Sequence, residues 1–253
     1  MPSLFLCHGA PTLVLEENGY TSFLRNLGAS LTPEAIVVFT AHWETKTTTV
    51  SSRGDTYPMI YDFSGFPREL HSMRYPSTGS AALADLVQAL LTKAGIGSRS
   101  DRERGLDHGS WSVLTLMFPE ADIPVVQVSI NPFLPMEQQY NIGKALRDLG
   151  RENILILGSG STVHNLSTID WDADQPEPWA MEFDDWLLEK TLRKDPDSLF
   201  RYRQLAPQAS RAIPREEHIA PLYIAMGSGN LKTPVLHYRS YAYGTLSYIC
   251  LEF

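Results

Sequence analysis

The sequence predicts an α/β protein built on a mainly parallel, mixed central sheet. Three observations lead there. Short apolar runs rich in β-formers recur at residues 3–7, 35–41 (AIVVFTA), 124–130 (PVVQVSI) and 154–157. Their apolarity is continuous rather than alternating, as in strands covered on both faces. Segments of helical periodicity lie between them, and parallel neighbours need such crossovers.

The first strand, 3–7, ends in Cys7-His8-Gly9-Ala10-Pro11, and the second, 35–41, ends before His42-Trp43-Glu44. In 80–94 the residues Leu83, Leu86, Val87, Leu90 and Leu91 follow the i, i+3, i+4, i+7, i+8 template of an amphipathic helix, with Ser77 or Thr78 as its cap. Strand 124–130 leads to a helix at 136–149, and strand 154–157 to a loop, Gly158-Ser159-Gly160-Ser161. The helix at 179–192 carries Glu182, Asp184, Asp185 and Glu189, read as a solvated outer face. A helix from about 216 to 225, a turn at 227–230, and strands near 234–238 and 245–251 close the chain. The last two strands are expected as antiparallel additions to the sheet.

Residues 1–253 are expected to form a single catalytic domain. There is no linker, repeat or low-complexity tract, and a boundary in the middle would split candidate ligands that run from residue 8 to residue 218. Lys+Arg total 21 against 29 Asp+Glu, a formal charge of −8, so neither nucleic acid nor an anionic membrane surface is an expected partner. No apolar run approaches the roughly 20 residues that span a bilayer, and the start lacks the charged region and cleavage site of a signal peptide, so the cytoplasm is the expected compartment. The two cysteines, Cys7 and Cys250, sit in apolar strand-like runs, which suits buried reduced thiols and no disulfide framework.

Four histidines carry the functional signal. His8 and His42 each follow a strand-like run, His164 follows a third run and its Gly/Ser loop, and His218 opens a helix. In open α/β sheets ligands bind beyond the carboxyl ends of the strands, and imidazole is the commonest ligand for a transition metal. His8, His42, His164 and His218 are therefore the candidate metal set. His108, between Asp107 and Gly109 in a polar loop, has little to pack against and reads as functional. His71 and His237 have weaker contexts and stay outside the set. Neutral imidazoles without thiolates suit iron, zinc, copper or nickel, and no Cys-x-x-Cys pair marks a structural zinc ribbon. The Gly/Ser loop matches neither phosphate-binding glycine pattern, and Gly158-Ser159-Gly160 falls short of a serine-hydrolase elbow.

Six segments together carry a resemblance: His8-Gly9-Ala10-Pro11, Ala41-His42-Trp43-Glu44, residues 61–70 (YDFSGFPREL), residues 105–111 (GLDHGSW), Gly158-Ser159-Gly160-Ser161 with His164-Asn165-Leu166, and Glu217-His218. In this order they resemble the DOPA 4,5-dioxygenase-like branch of the class III extradiol ring-cleavage dioxygenases, over nearly the whole chain. The resemblance implies a three-layer α/β/α fold and a mononuclear non-haem site, with Fe(2+) for activity and Zn(2+) in purified protein. It implies His8 and His42 as ligands, His218 in the third slot with Glu217 as its rival, His164 as a fourth ligand or a base, and His108 as an acid/base group. The implied partners are a small aromatic catechol and O2, and the implied product is a ring-opened semialdehyde. The aromatic stretch 57–66, with Tyr241 and Tyr243, would wall a flat pocket. The residues alone leave two other readings open, a zinc-dependent hydrolase and a non-catalytic metal-binding scaffold.

Overall fold

The computed structural model describes residues 1–253. Eight strands, β1 (Ser3–Cys7), β2 (Ala35–Glu44), β3 (Thr48–Ser51), β4 (Ser98–Asp101), β5 (Val125–Ile130), β6 (Ile154–Gly160), β7 (Val235–Ala242) and β8 (Leu246–Glu252), form one sheet in the order β4-β3-β5-β2-β6-β1-β8-β7. The helices are α1 (Gly19–Ala29), α2 (Ala81–Lys93), α3 (His108–Met117), α4 (Met136–Leu146), α5 (Pro178–Leu192), three short pieces α6 (Pro196–Phe200), α7 (Tyr202–Leu205) and α8 (Ala209–Ala212), and α9 (Ala220–Ser228).

Strands β5, β2, β6 and β1 run parallel, while β8 pairs antiparallel with both β1 and β7, as the sequence predicts. Successive residues of a strand point to opposite faces. Ile36, Val38, Leu155 and Leu157 pack with Tyr20 and Leu24 of α1, Trp111 and Leu114 of α3 and Phe183 of α5. Val37, Phe39, Ile154 and Ile156 pack with Leu83 and Val87 of α2, Ile142 and Leu146 of α4 and Ile224 of α9. Continuous apolarity thus means two covered faces and three layers. Burying each of these large side chains contributes about 1.5–3 kcal/mol.

Several local expectations are corrected. The cap of α2 is Ser80, whose hydroxyl accepts the Leu83 amide at 3.2 Å, not Ser77 or Thr78. Helix α4 stops at Leu146 and tightens into a 3-10 turn over Arg147–Glu152. Gly158-Ser159-Gly160 is not a loop but the end of β6: a Cβ at Gly158 would stand 2.4 Å from the Pro221 carbonyl oxygen and one at Gly160 2.1 Å from that of His218. The missing side chains let the backbone around α9 lie directly on the sheet. Helix α9 begins at Ala220, so His218 lies in the turn before it, and Gly227 and Ser228 belong to the helix rather than to a turn. Asp184 is not on a solvated face. It is fully buried, accepting the hydroxyls of Tyr241 at 2.8 Å and Ser247 at 2.6 Å. Helices α1 and α3, strand β3 and the edge strand β4 lie outside what the sequence predicts. The first has a reciprocal cap between Asn18 and Thr21, and the polar SRSD of β4 has no apolar period to read.

Candidate metal centre

The carboxyl ends of β2, β6 and β1, adjacent in the sheet, open onto one cavity. His8 follows β1 directly, and Gly9 turns the chain with φ +63°, where the Tyr248 ring also leaves no room for a Cβ. His42 lies within β2 rather than past its end. There Ala41, His42 and Trp43 fall between Thr40 and Glu44, which pair with consecutive residues of β5, and this irregularity re-aims the imidazole. His108 is the first residue of α3 and is buried, not in a polar loop. The fully buried Asp107 caps that helix through the Ser110 amide at 3.1 Å, and accepts the Thr40 hydroxyl at 2.7 Å and Arg104 at 3.0 Å, tying α3 to β2.

The structure brings His8, His42 and His218 together, with nitrogens all within 4.8 Å of one another. Hydrogen-bond partners assign the tautomers. The Ser159 hydroxyl donates to the Gly109 carbonyl, so it accepts from His8 Nδ1 at 2.9 Å. His42 Nδ1 donates to Asp62 Oδ2 at 3.1 Å, and His218 Nδ1 to Glu217 Oε1 at 3.1 Å. Each Nε2 is left as a lone pair. Those of His8 and His42 face each other at 3.0 Å, and that of His218 is buried with no hydrogen-bond partner. Three converging lone pairs repel unless a cation lies among them, so this donor set fits a metal ion.

Electrostatics point the same way. Burial, then the neighbouring His42, holds His8 well below the usual imidazole range, and burial, then His164 and His42, does the same to His218. Both are neutral and able to coordinate. Burial raises Asp62, but hydrogen bonds from His108 and His42 outweigh it and hold the carboxyl well below its ordinary range. Asp62 takes His108 Nδ1 at 2.8 Å and the His108 amide at 3.1 Å on one oxygen and His42 on the other. Burial raises Glu217, partly offset by Arg215.

His164 lies outside the group of three. Its ring stacks on His218 with centroids 3.3 Å apart, its Nδ1 is 3.9 Å from Glu217, and burial, then His42 and His108, lowers it to about 4. It lines the cavity as a neutral acceptor. Glu217, the rival for the third position, orients His218 instead of standing in its place. Two further groups of the site, Asp62 and Ser159, are not among the candidates the sequence offers. Asp62 is the one acidic residue in the aromatic stretch 57–66, a signal that was readable; Ser159, inside a strand, offered none. The cavity, about 530 Å³, is walled by Phe63, Phe66, Leu166, Ile169, Trp171 and Leu246. Of the expected aromatic wall only Phe63 and Phe66 line it; Tyr57, Tyr61, Tyr241 and Tyr243 do not, the Tyr241 hydroxyl being spent on Asp184. His71 and His237 stay apart, the first against Tyr61 and Phe63, the second on Glu252.

Comparison with known proteins places the chain in a family. The family model described as the catalytic LigB subunit of aromatic ring-opening dioxygenase matches residues 4–250. A 4,5-DOPA dioxygenase extradiol of Portulaca grandiflora is 40% identical, covering 99% of this chain and 95% of its own. Its namesake in Escherichia coli K12 is 41% identical over 93% of this chain and 88% of its own. The crystal structure of an uncharacterized Escherichia coli K12 protein superposes with a TM-score of 0.84 at 34% identity, covering 100% of this chain and 99% of that one. No helix is long and apolar enough to cross a membrane. The chain therefore belongs to the family of the catalytic LigB subunit of aromatic ring-opening dioxygenases, and it is an extradiol dioxygenase.

Proposed function

We propose that residues 1–253 act as one catalytic domain that opens a catechol ring with O2 to a semialdehyde, at an iron(II) ion held by His8, His42 and His218. The observation that carries this reading is the set of three Nε2 lone pairs converging on one point, with each Nδ1 already given to Ser159, Asp62 or Glu217. A ferrous ion supplies Lewis acidity toward the two ring oxygens and one-electron chemistry toward O2.

The chain's own groups do the rest. Ser159, Asp62 and Glu217 hold the three imidazoles in the coordinating tautomer, so no reorganisation is needed when the ion binds. His164, neutral at pH 7, accepts the proton of a catechol hydroxyl, and its stacking on His218 keeps that acceptor beside the ligand group. His108 gives Nδ1–H to Asp62 and keeps Nε2 free. The carboxylate stabilises the imidazolium that forms when His108 takes a proton, and orients it to return that proton to the opening ring. Phe63 lies perpendicular to the His108 ring, centroids 5.7 Å apart, and makes one wall of a slot for a flat ring. The catechol ring is the part of DOPA, named for the relatives, that these histidines address. A reducing compartment, the cytoplasm, suits the free and buried Cys7 and Cys250; burial pushes Cys7 up to about 12.

Anaerobic loading with Fe(2+), then exposure to O2 with a panel of catechols, tests the proposal. The expected result is O2 uptake matched by a yellow ring-opened product. Turnover with zinc alone and no O2 consumption would sink it.

A further inference from the structure

We propose that a second cavity, at the end of the sheet away from the histidines, binds a phosphate monoester with a small apolar body. Residues of α4, α5 and α9 line it, and none of its lining residues belongs to the histidine cavity. Phe253, in its wall, gives its backbone amide to the carbonyl of Ser3, the first residue of β1, whereas His8 follows the last. The length of the strand separates the two sites, so this ligand is not the ring that is opened.

Charge is the first observation. The chain carries −8 overall, but this cavity is lined by Arg147, Lys194 and Lys232 and by no aspartate or glutamate. None of the three pairs with a carboxylate side chain. Arg147 donates to the Gly227 carbonyl at 2.8 Å and to the Tyr140 hydroxyl at 3.4 Å, Lys194 donates to the Leu231 carbonyl at 3.0 Å, and Lys232 has no partner in the chain. Neutral acceptors leave the charges uncompensated. Lys194 has φ +55°, just past the cap of α5, where glycine is usual. A terminal carboxylate on Phe253, whose backbone lies against Gly229, answers one charge and leaves two. That remainder matches the charge of about −1.5 to −2 on a phosphate monoester.

The second observation is Thr191. It lies on α5, is 2% exposed and lines the same cavity, and its hydroxyl has no hydrogen-bond partner. A threonine inside a helix commonly bonds back to the carbonyl four residues earlier. Every other buried hydroxyl on a helix is spent: Thr21 on the Asn18 carbonyl, Ser110 on Gln127, Ser112 on the His108 carbonyl and Ser228 on the Ile224 carbonyl. An unpaired buried hydroxyl is costly, and an acceptor brought into the cavity removes that cost. Two ammonium groups, a guanidinium and a hydroxyl set around one space suit the tetrahedral oxygens of phosphate better than a planar carboxylate, which a guanidinium fork matches. Tyr140, Met226, Leu231 and Phe253 supply an apolar wall for the ligand's body in a volume of about 440 Å³.

Isothermal titration of the metal-free, full-length protein with phenyl phosphate, inorganic phosphate and benzoate tests the proposal. Phenyl phosphate is expected to bind with a Kd below about 1 mM, and the other two at least about tenfold more weakly. Lys232→Glu and Thr191→Val are each expected to weaken phenyl phosphate by about tenfold or more, as loss of a charge-assisted contact does. Thr191→Val keeps the side-chain shape and deletes the unpaired hydroxyl, so the thermal midpoint of the ligand-free protein should not fall. Benzoate bound as tightly as phenyl phosphate, binding unmoved by K232E or by T191V, a midpoint lowered by T191V, or no saturation by about 10 mM phenyl phosphate overturns the proposal.

Discussion

Asp62→Asn tests the coupling between the carboxylate and the metal site. Asp62 accepts His108 Nδ1 at 2.8 Å and the His108 backbone amide at 3.1 Å on Oδ1, and His42 Nδ1 at 3.1 Å on Oδ2. An asparagine of the same shape has one acceptor oxygen. The two donors of His108 keep it in the Oδ1 place, so its NH2 group faces His42 Nδ1–H. His42 must then surrender that proton and place one on Nε2, where the lone pair was. A hydrogen bond to a charged group contributes about 1.5–3 kcal/mol, which at about 1.4 kcal/mol per decade is about 10- to 150-fold in metal affinity. Loss of an orienting partner of a metal-bound histidine typically costs about 10–100-fold, in the same range. The assay is competition with a chromophoric chelator at neutral pH, with thermal unfolding of the metal-free protein to show that the fold survives. Affinity within about twofold of the parent would refute the argument that Asp62 fixes the His42 tautomer.

Three further expectations follow from other parts of the molecule. Gly160→Ala puts a Cβ 2.1 Å from the His218 carbonyl oxygen, so urea unfolding should show a loss of about 1–3 kcal/mol, whereas Gly54→Ala, with nothing within 4 Å, should show almost none. His164→Ala should keep stoichiometric metal while kcat falls by about 10²–10⁴, and His218→Ala should lose the metal itself; metal content and O2 uptake measured together separate the two roles, and equal metal loss in both would contradict them. Burial raises Asp184 above the ordinary carboxylate value of 3.8, against hydrogen bonds from Ser247 and Tyr241. A raised folded-state pKa means that its protonated form is favoured, with stability fully present below 3.8 and lost as pH rises through the folded value. Asp184→Asn should therefore gain on the parent in urea melts as pH is raised from about 4 to 7, and a difference that stays flat would show that this carboxyl does not titrate between those values.

How legible each part was depended on where its signal lay. The strands 35–41, 124–130 and 154–157 announced themselves because a strand buried on both faces needs apolar side chains at every position. Gly158-Ser159-Gly160 was read as a loop because glycine is the usual residue of turns, and nothing local says that a helix start lies against it. Asp184 was taken for one of a solvated row because helix periodicity gives a direction and not what occupies it; β8 and β7 bring Ser247 and Tyr241 to that place from far along the chain. His108 reads as a loop residue because its helix is buried nearly all round, mixes serines with apolar residues and shows little amphipathic period.

Residue chemistry and local period were enough to establish the α/β class, the antiparallel additions at the end and the histidines worth suspecting, since these depend on side-chain type and on neighbours a few positions away. Convergence was not local. The distance from His8 to His218 along the chain is closed by the β2-β6-β1 order of the sheet and the turn before α9, where Glu217 accepts from His218 Nδ1 and only His218 joins the three converging nitrogens. The tautomers, and with them the capacity to hold a metal, were decided by Ser159, Asp62 and Glu217, partners that only the packed chain brings within hydrogen-bond reach of each imidazole.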